Sequence, residues 1–248
     1  MRNLLLTIAY DGADFSGWQR NPGARTVQAT IEAVLREMTQ DETVTLRVTG
    51  RTDAGVHALG QLAAFKTESA IAEQRFLRGL NSLLPDSVSI LAVESVPLDY
   101  NPRHKNAGKH YRYTIWNHRE IAPADKRRAW HIYGAVDRMQ MARAARLLVG
   151  THDFAAFRAA DCERPSTTRT LYRVTVSELQ ARRELRIDVE GTAFLKNMVR
   201  IIAGTLLDIG RGKLPLELVH ELLESGDRTR AGITAPPHGL CLVRVLRP

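Results

Sequence analysis

The sequence predicts an α+β fold made of two successive ferredoxin-like halves. Three observations carry that reading. Short runs alternate apolar and polar residues, longer stretches repeat at helical spacing, and the order β-α-β-β-α-β occurs twice along the 248 residues. Each half is then expected to form an antiparallel sheet with helices on one face.

Leu4, Leu6 and Ile8 open the first strand. Thr26 is placed to cap a helix, because Val27, Ile31, Val34, Leu35 and Met38 follow on one helical face. Strands are expected at 44–49 and 61–67, where Val44, Leu46 and Val48, then Leu62 and Ala64, alternate with their neighbours. Phe76, Leu77, Leu80 and Leu84 mark a second helix that stops at Pro85, and a strand at 88–96 completes the first half. The second half opens with a strand at 109–116 and a helix at 137–149 that carries Met141, Ala145 and Leu148 on one face. Strands at 171–176 and 185–189, helices at 194–209 and 216–223, and a closing strand at 241–246 follow. The expected division is therefore 1–104 and 105–248, in the polar stretch 101–108 that contains Pro102. A cleft between the two sheets is the expected binding site.

Composition narrows the class. With 44% hydrophobic and 25% charged residues the chain is an ordinary globular protein rather than a disordered one. Two cysteines, Cys162 and Cys241, make neither a CxxC pair nor a disulfide framework. No apolar run approaches a membrane span, and Asp11 and Asp14 follow the first apolar segment where a signal peptide would have its cleavage site. A cytoplasmic, membrane-independent protein is expected. The net charge of +8 and pI near 9.9 are less ordinary, and the charge is localised. Between Asn101 and Tyr133, eight cations stand against two acids, interleaved with Tyr111, Tyr113, Trp116, Trp130 and Tyr133. That mixture suits a surface that tracks phosphates and offers rings for stacking, so nucleic acid is the expected partner.

The most informative stretch is GRTDAGVHALGQ, residues 50–61, a short link between two strands. Thr-Asp-Ala-Gly is ordinary turn chemistry, with Asp bonding its own backbone and Gly supplying a positive φ. A carboxylate fixed on such a loop at a strand end is also placed to meet a ligand. Further motifs lie in order along the chain: YDGADFSGWQRN at 10–21, KHYRYTIW at 109–116, GTHDFAAF at 150–157 and FLKNMVRIIAGTLLDIGRGK at 194–213.

Together these strings, spread over nearly the whole chain, resemble the TruA family of tRNA pseudouridine synthases. Asn21 departs from the family pattern, in which a Gln is common. The resemblance implies two ferredoxin-like halves around a central basic cleft, and isomerisation of uridine at positions 38, 39 and 40 of the tRNA anticodon stem-loop. It implies a homodimer with tRNA spanning both protomers. It makes Asp53 the catalytic carboxylate, Tyr111 the ring that stacks on uracil, Arg200 the ion-pair partner of the carboxylate, and Arg51 an aid to extrusion of the target base. The reaction breaks the N1–C1′ bond, turns the base and rejoins it through C5, so no cofactor is needed. An ionised Asp serves either by attacking C1′ or by taking a C2′ proton to give a glycal, and both routes stay open.

Taken alone, the residues allow blander readings. Tyr111 in an alternating strand could be packing, Arg200 an exposed helix cation, and the whole chain a non-catalytic RNA-binding module. The aromatic string of an RNA-recognition sheet is missing, which disfavours the last. An Asp-dependent hydrolase would want a metal cluster or a second paired carboxylate. His104, His110, His118 and His131 are too irregularly spaced for zinc, and no metal is expected. Asp53 and His57 lack the third member of a triad. GRGK at 210–213 lacks the upstream glycine and following Ser/Thr of a phosphate loop and reads as a helix end.

Overall fold

Strand β1 (Arg2–Tyr10) takes the middle of a sheet because Leu4, Leu5, Leu6 and Ile8 are all buried, so both faces and both edges need cover. The computed structural model describes residues 1–179 and 184–247. Helix α1 (Val27–Thr39) starts where expected, with Thr26 Oγ1 accepting from the Ala29 N–H. The strand expected at 44–49 pairs over two residues only, as β2 (Arg47–Val48). The reason lies on α1: the Leu46 N–H donates to the buried carboxylate of Glu32 at 2.9 Å, which takes that residue out of the ladder. Strand β3 (His57–Thr67) is longer than expected and begins directly after the Asp53 loop. Helix α2 (Glu73–Leu83) and β4 (Val88–Val96) complete the β-α-β-β-α-β order.

β1 is antiparallel to both β3 and β4, with Leu5 opposite Ala64 on one side and Glu94 on the other. β2 lies antiparallel on β3, so the sheet runs β4-β1-β3-β2, the ferredoxin-like order. Phe65 from the sheet meets Phe76 from α2 edge-on at 5.8 Å, both buried. Each such side chain contributes about 1.5–3 kcal/mol, several times a surface ion pair, so the apolar contacts decide the fold. Both ladders of β1 shift register within Thr7–Tyr10, and the irregularity re-aims the strand end that carries Tyr10.

The second unit runs from Gly108 to Leu240. Its elements are β5 (Gly108–Asn117), β6 (Trp130–Ile132), α3 (Arg138–Leu147), β7 (Gly150–Asp153), β8 (Thr168–Leu179), β9 (Glu184–Gly191), α4 (Met198–Gly210) and α5 (Leu218–Ser225). β5, β9, β8 and β7 pair antiparallel in that order, and β6 lies parallel on β5. Strands β6 and β7 are not visible in the sequence pattern. α3 packs on β8, α4 on α3 and β5. The helix expected at 194–209 starts only at Met198, because Asn197 adopts a left-handed backbone at φ +61°. GRGK is a helix end: the Gly212 and Lys213 N–H groups donate to the carbonyls of Ile209 and Asp208, each at 2.9 Å.

The closing strand departs from the expected repeat. β10 (Leu240–Leu246) is the chain's last strand, yet from Cys241 onward it belongs to the first unit with Met1–Ala107. It runs parallel to the start of β3, Cys241 opposite His57 and Leu242 opposite Ala58. A repeat in the sequence gives element order but not strand partners, which is why the pattern alone assigned this strand to the second half. The α+β class holds for both units. No helix among the described residues is long and apolar enough to cross a membrane.

Candidate active site

Asp53 stands on a turn whose Val56 N–H donates to the Asp53 carbonyl at 3.2 Å, with Gly55 at φ +78°. That is the conformation a type II turn asks of its third residue. Turn chemistry and ligand placement therefore coincide, since the turn holds a half-buried carboxylate at the mouth of β3. Arg51, two residues earlier, is exposed.

The turn is braced by the other motif of the first unit, within residues 10–18. The Trp18 N–H donates to the Thr52 carbonyl at 3.0 Å, and the Gly55 N–H to the Phe15 carbonyl at 3.3 Å. Tyr10 Oη and Thr52 Oγ1 are 2.7 Å apart, and the Gly12 N–H donates to His57 Nδ1 at 3.1 Å. Burial pushes the Tyr10 phenol well above its usual range, against the pull of hydrogen bonds to Thr52 and Gln61, so it stays neutral. Upstream, the Gln61 side-chain amide donates to the Gly50 carbonyl at 2.8 Å. Two glycines make the approach possible. A Cβ on Gly12 would sit 2.0 Å from the Val56 carbonyl oxygen, and one on Gly17, at φ +90°, 2.9 Å from that of Thr52. Sequence reasoning missed this bracing set, because spacing along a chain does not say which loop meets which.

In the second unit, Tyr111 lies on β5, buried, its ring edge-on to Phe194 at 5.0 Å. Arg200 lies in the first turn of α4 and is half-buried, not the exposed helix cation of the bland reading. Its Nε donates to the Ala235 carbonyl at 2.7 Å and Nη1 to Asn197 Oδ1 at 2.8 Å. Tyr113, two residues along β5, donates its hydroxyl to the Pro236 carbonyl at 2.7 Å. Burial, and to a lesser degree the Arg200 charge, hold His238 below the usual histidine range, against its hydrogen bond to the Ala129 backbone. Asp53 and Arg51 thus stand in the first unit, Tyr111 and Arg200 in the second.

The opposite face of β5 carries a charged network. Asp188 lies 2.6 Å from His110 Nε2 and accepts from Arg112 Nε at 3.0 Å. Burial raises the Asp188 pKa, but these two partners outweigh it and hold the carboxyl below its usual value. In the basic stretch, Arg119, Lys126, Arg127, Arg128 and Tyr133 are all exposed, so cations and a ring are presented to solvent together.

A half-buried carboxylate on a hydrogen-bonded turn, in a chain that also presents basic and aromatic side chains outward, suits an enzyme that acts on nucleic acid. The chain belongs to the tRNA pseudouridine synthase family, whose model matches residues 6–105 and 144–246. It is 50% identical over 245 residues to a "tRNA pseudouridine synthase A" of Geotalea uraniireducens, covering 99% of each chain. A protein of the same name from Geotalea daltonii is 46% identical, again over 99% of each chain. One from Citrifermentans bemidjiense is 45% identical over 99% of this chain and 97% of its own.

Proposed function

We propose that this protein isomerises uridine to pseudouridine in tRNA, at positions 38, 39 and 40 of the anticodon stem and loop, with Asp53 as the catalytic carboxylate. The observation that carries the reading is the bracing of the Asp53 turn by residues 10–18, which fixes one carboxylate with main-chain and side-chain hydrogen bonds rather than leaving it on a mobile loop. Family membership supports the substrate class.

The ionised carboxylate acts at the ribose, on C1′ or on the C2′ proton. The N1–C1′ bond breaks, the uracil turns within the site, and C5 bonds to C1′. C5 gives up its proton, and N1 ends the cycle carrying one, so atoms balance without a donor. Tyr111 stacks on the uracil, and its phenol assists removal of the C5 proton. Arg200 supplies the cation that a carboxylate in a dry site needs to stay ionised. Arg51, exposed beside the turn, fills the space that the extruded base leaves in the RNA. The functional unit is a homodimer in the cytoplasm.

The test is tritium release from uracil C5 in unmodified tRNA. The parent protein releases tritium, and Asp53→Asn, which keeps the shape but not the charge, loses about 10⁴-fold or more while still binding tRNA. Activity of Asp53→Asn within tenfold of the parent would remove Asp53 from the role. A parent that binds tRNA and releases no tritium would be a binding module instead.

A further inference from the structure

Asn197 precedes a helix and does not do what asparagine ordinarily does there. An N-cap Asn takes extended backbone, and its side-chain oxygen accepts from an N–H in the first turn. Asn197 sits instead in the left-handed region and makes no cap to α4. Its Oδ1 accepts from Nη1 of Arg200 at 2.8 Å. Gln40, the other non-glycine with positive φ among the described residues, closes α1 at its C-terminal end, where that conformation is ordinary. At Asn197 the backbone bears a cost and the helix forgoes a cap in the same place, and what the side chain gains is the grip on one arginine.

We propose that Asn197 is a positioning residue that fixes the Arg200 guanidinium in one orientation for the isomerisation step, which rests on the reading of Arg200 as part of the active site. The guanidinium has a second anchor, the Ala235 carbonyl, and the Ala235 N–H donates back to the Arg200 carbonyl at 3.2 Å. That segment is itself fastened to α4. The Gly232 N–H donates to Thr205 Oγ1 at 3.0 Å, and the Ile233 carbonyl oxygen lies where a Cβ on Gly204 would come within 1.9 Å. Bonds at Nε and Nη1 together define the plane of the fork, which neither anchor would do alone. A cation held in this way meets developing charge without reorganising at the moment of reaction.

The experiment is a double-mutant cycle read as single-turnover rate on unmodified tRNA, with tRNA affinity and thermal unfolding midpoint beside it. Asn197→Gly keeps the backbone conformation and removes the amide; Asn197→Asp keeps Oδ1 on a residue that tolerates positive φ. Asn197→Gly is expected to slow the single turnover about 10- to 100-fold, with tRNA affinity within about twofold and the midpoint unchanged or raised. Asn197→Asp should restore the rate to within about fivefold of the parent. In an Arg200→Lys background, where the fork is gone, Asn197→Gly should change the rate by less than about twofold. A parent-like rate for Asn197→Gly, an equal loss in both backgrounds, or a loss that follows a lowered midpoint overturns the proposal. The two readings fail separately. Slow Arg200→Lys with fast Asn197→Gly removes only the role of Asn197, whereas parent-like Arg200→Lys removes Arg200 from the site and this proposal with it.

Discussion

Around Asp53 most of the restraints grip the backbone: the Trp18 and Gly55 N–H groups bond the carbonyls of Thr52 and Phe15, the Gln61 amide bonds the Gly50 carbonyl, Tyr10 and His57 add side-chain bonds to Thr52 and the Gly12 N–H, and two glycines let the backbones touch. Around Arg200 the grip depends on side-chain atoms, with Asn197 Oδ1 on one side and the guanidinium's own reach to the Ala235 carbonyl on the other. The contrast follows from the groups being placed. A short carboxylate goes where its Cα goes, so placing it means fixing backbone. An arginine has a long flexible stem, so placing its head means holding the head itself. The first arrangement is sensitive to any added Cβ in the brace, the second to loss of a single polar atom.

The largest effect that could break this comparison is expected at Tyr111. Tyr111→Phe keeps the ring on Phe194 and removes one oxygen, and single-turnover rate should fall about 10²- to 10⁴-fold if the phenol assists proton removal. A Phe variant equal to the parent, beside a crippled Tyr111→Ala, would leave a stacking platform whose loss costs about 1–3 kcal/mol. Gly17→Ala addresses the brace directly. Its φ of +90° and the Thr52 oxygen 2.9 Å from the new Cβ should together lower stability by about 2–4 kcal/mol. The displaced turn should slow single turnover by about 100-fold, measured below the lowered unfolding midpoint. Unchanged kinetics would show that the brace holds the fold and not the carboxylate.

A smaller effect separates the two units by pH. Asp188 has a depressed folded pKa, so its contribution is present above its unfolded value, about 3.9, and is lost as pH falls through the folded one. Asp188→Asn should cost about 1.5–3 kcal/mol near neutrality in urea unfolding, with the difference from the parent shrinking below about pH 4. Glu94 in the first unit is also depressed, chiefly by its hydrogen bond from Arg247, but that pair is solvent-facing. Glu94→Gln should therefore change the urea midpoint little at any pH. Equal pH profiles for the two variants would erase the distinction.

The legible parts of the sequence are those fixed by local chemistry. Thr26 announces α1, Pro85 ends α2, and the alternation at Val88–Val96 yields β4 with its observed bounds. The turn that carries Asp53 was legible because its residues lie together in the chain. What was not legible depends on distant partners. The strand expected at 44–49 shrinks because Glu32, on another element, claims the Leu46 N–H. The helix expected from 194 starts late because Asn197, whose Oδ1 meets Arg200, holds a left-handed backbone. A signal was present there, since Asn is the residue other than glycine most at ease with positive φ, but periodicity does not register it. The meeting of residues 10–18 with 50–57 leaves no mark in spacing at all.

Strand β10 has a consequence for how the protein is made. On the ribosome the whole of Gly108–Leu240 is synthesised between β3 and its parallel neighbour at Cys241. Until then the edge of β3 that begins at His57, directly after the Asp53 turn, lacks that partner. The nascent chain therefore cannot finish its N-terminal body first and move on, as vectorial folding would have it. The segment nearest Asp53 is among the last to be closed, by a contact of high sequence separation and correspondingly slow formation.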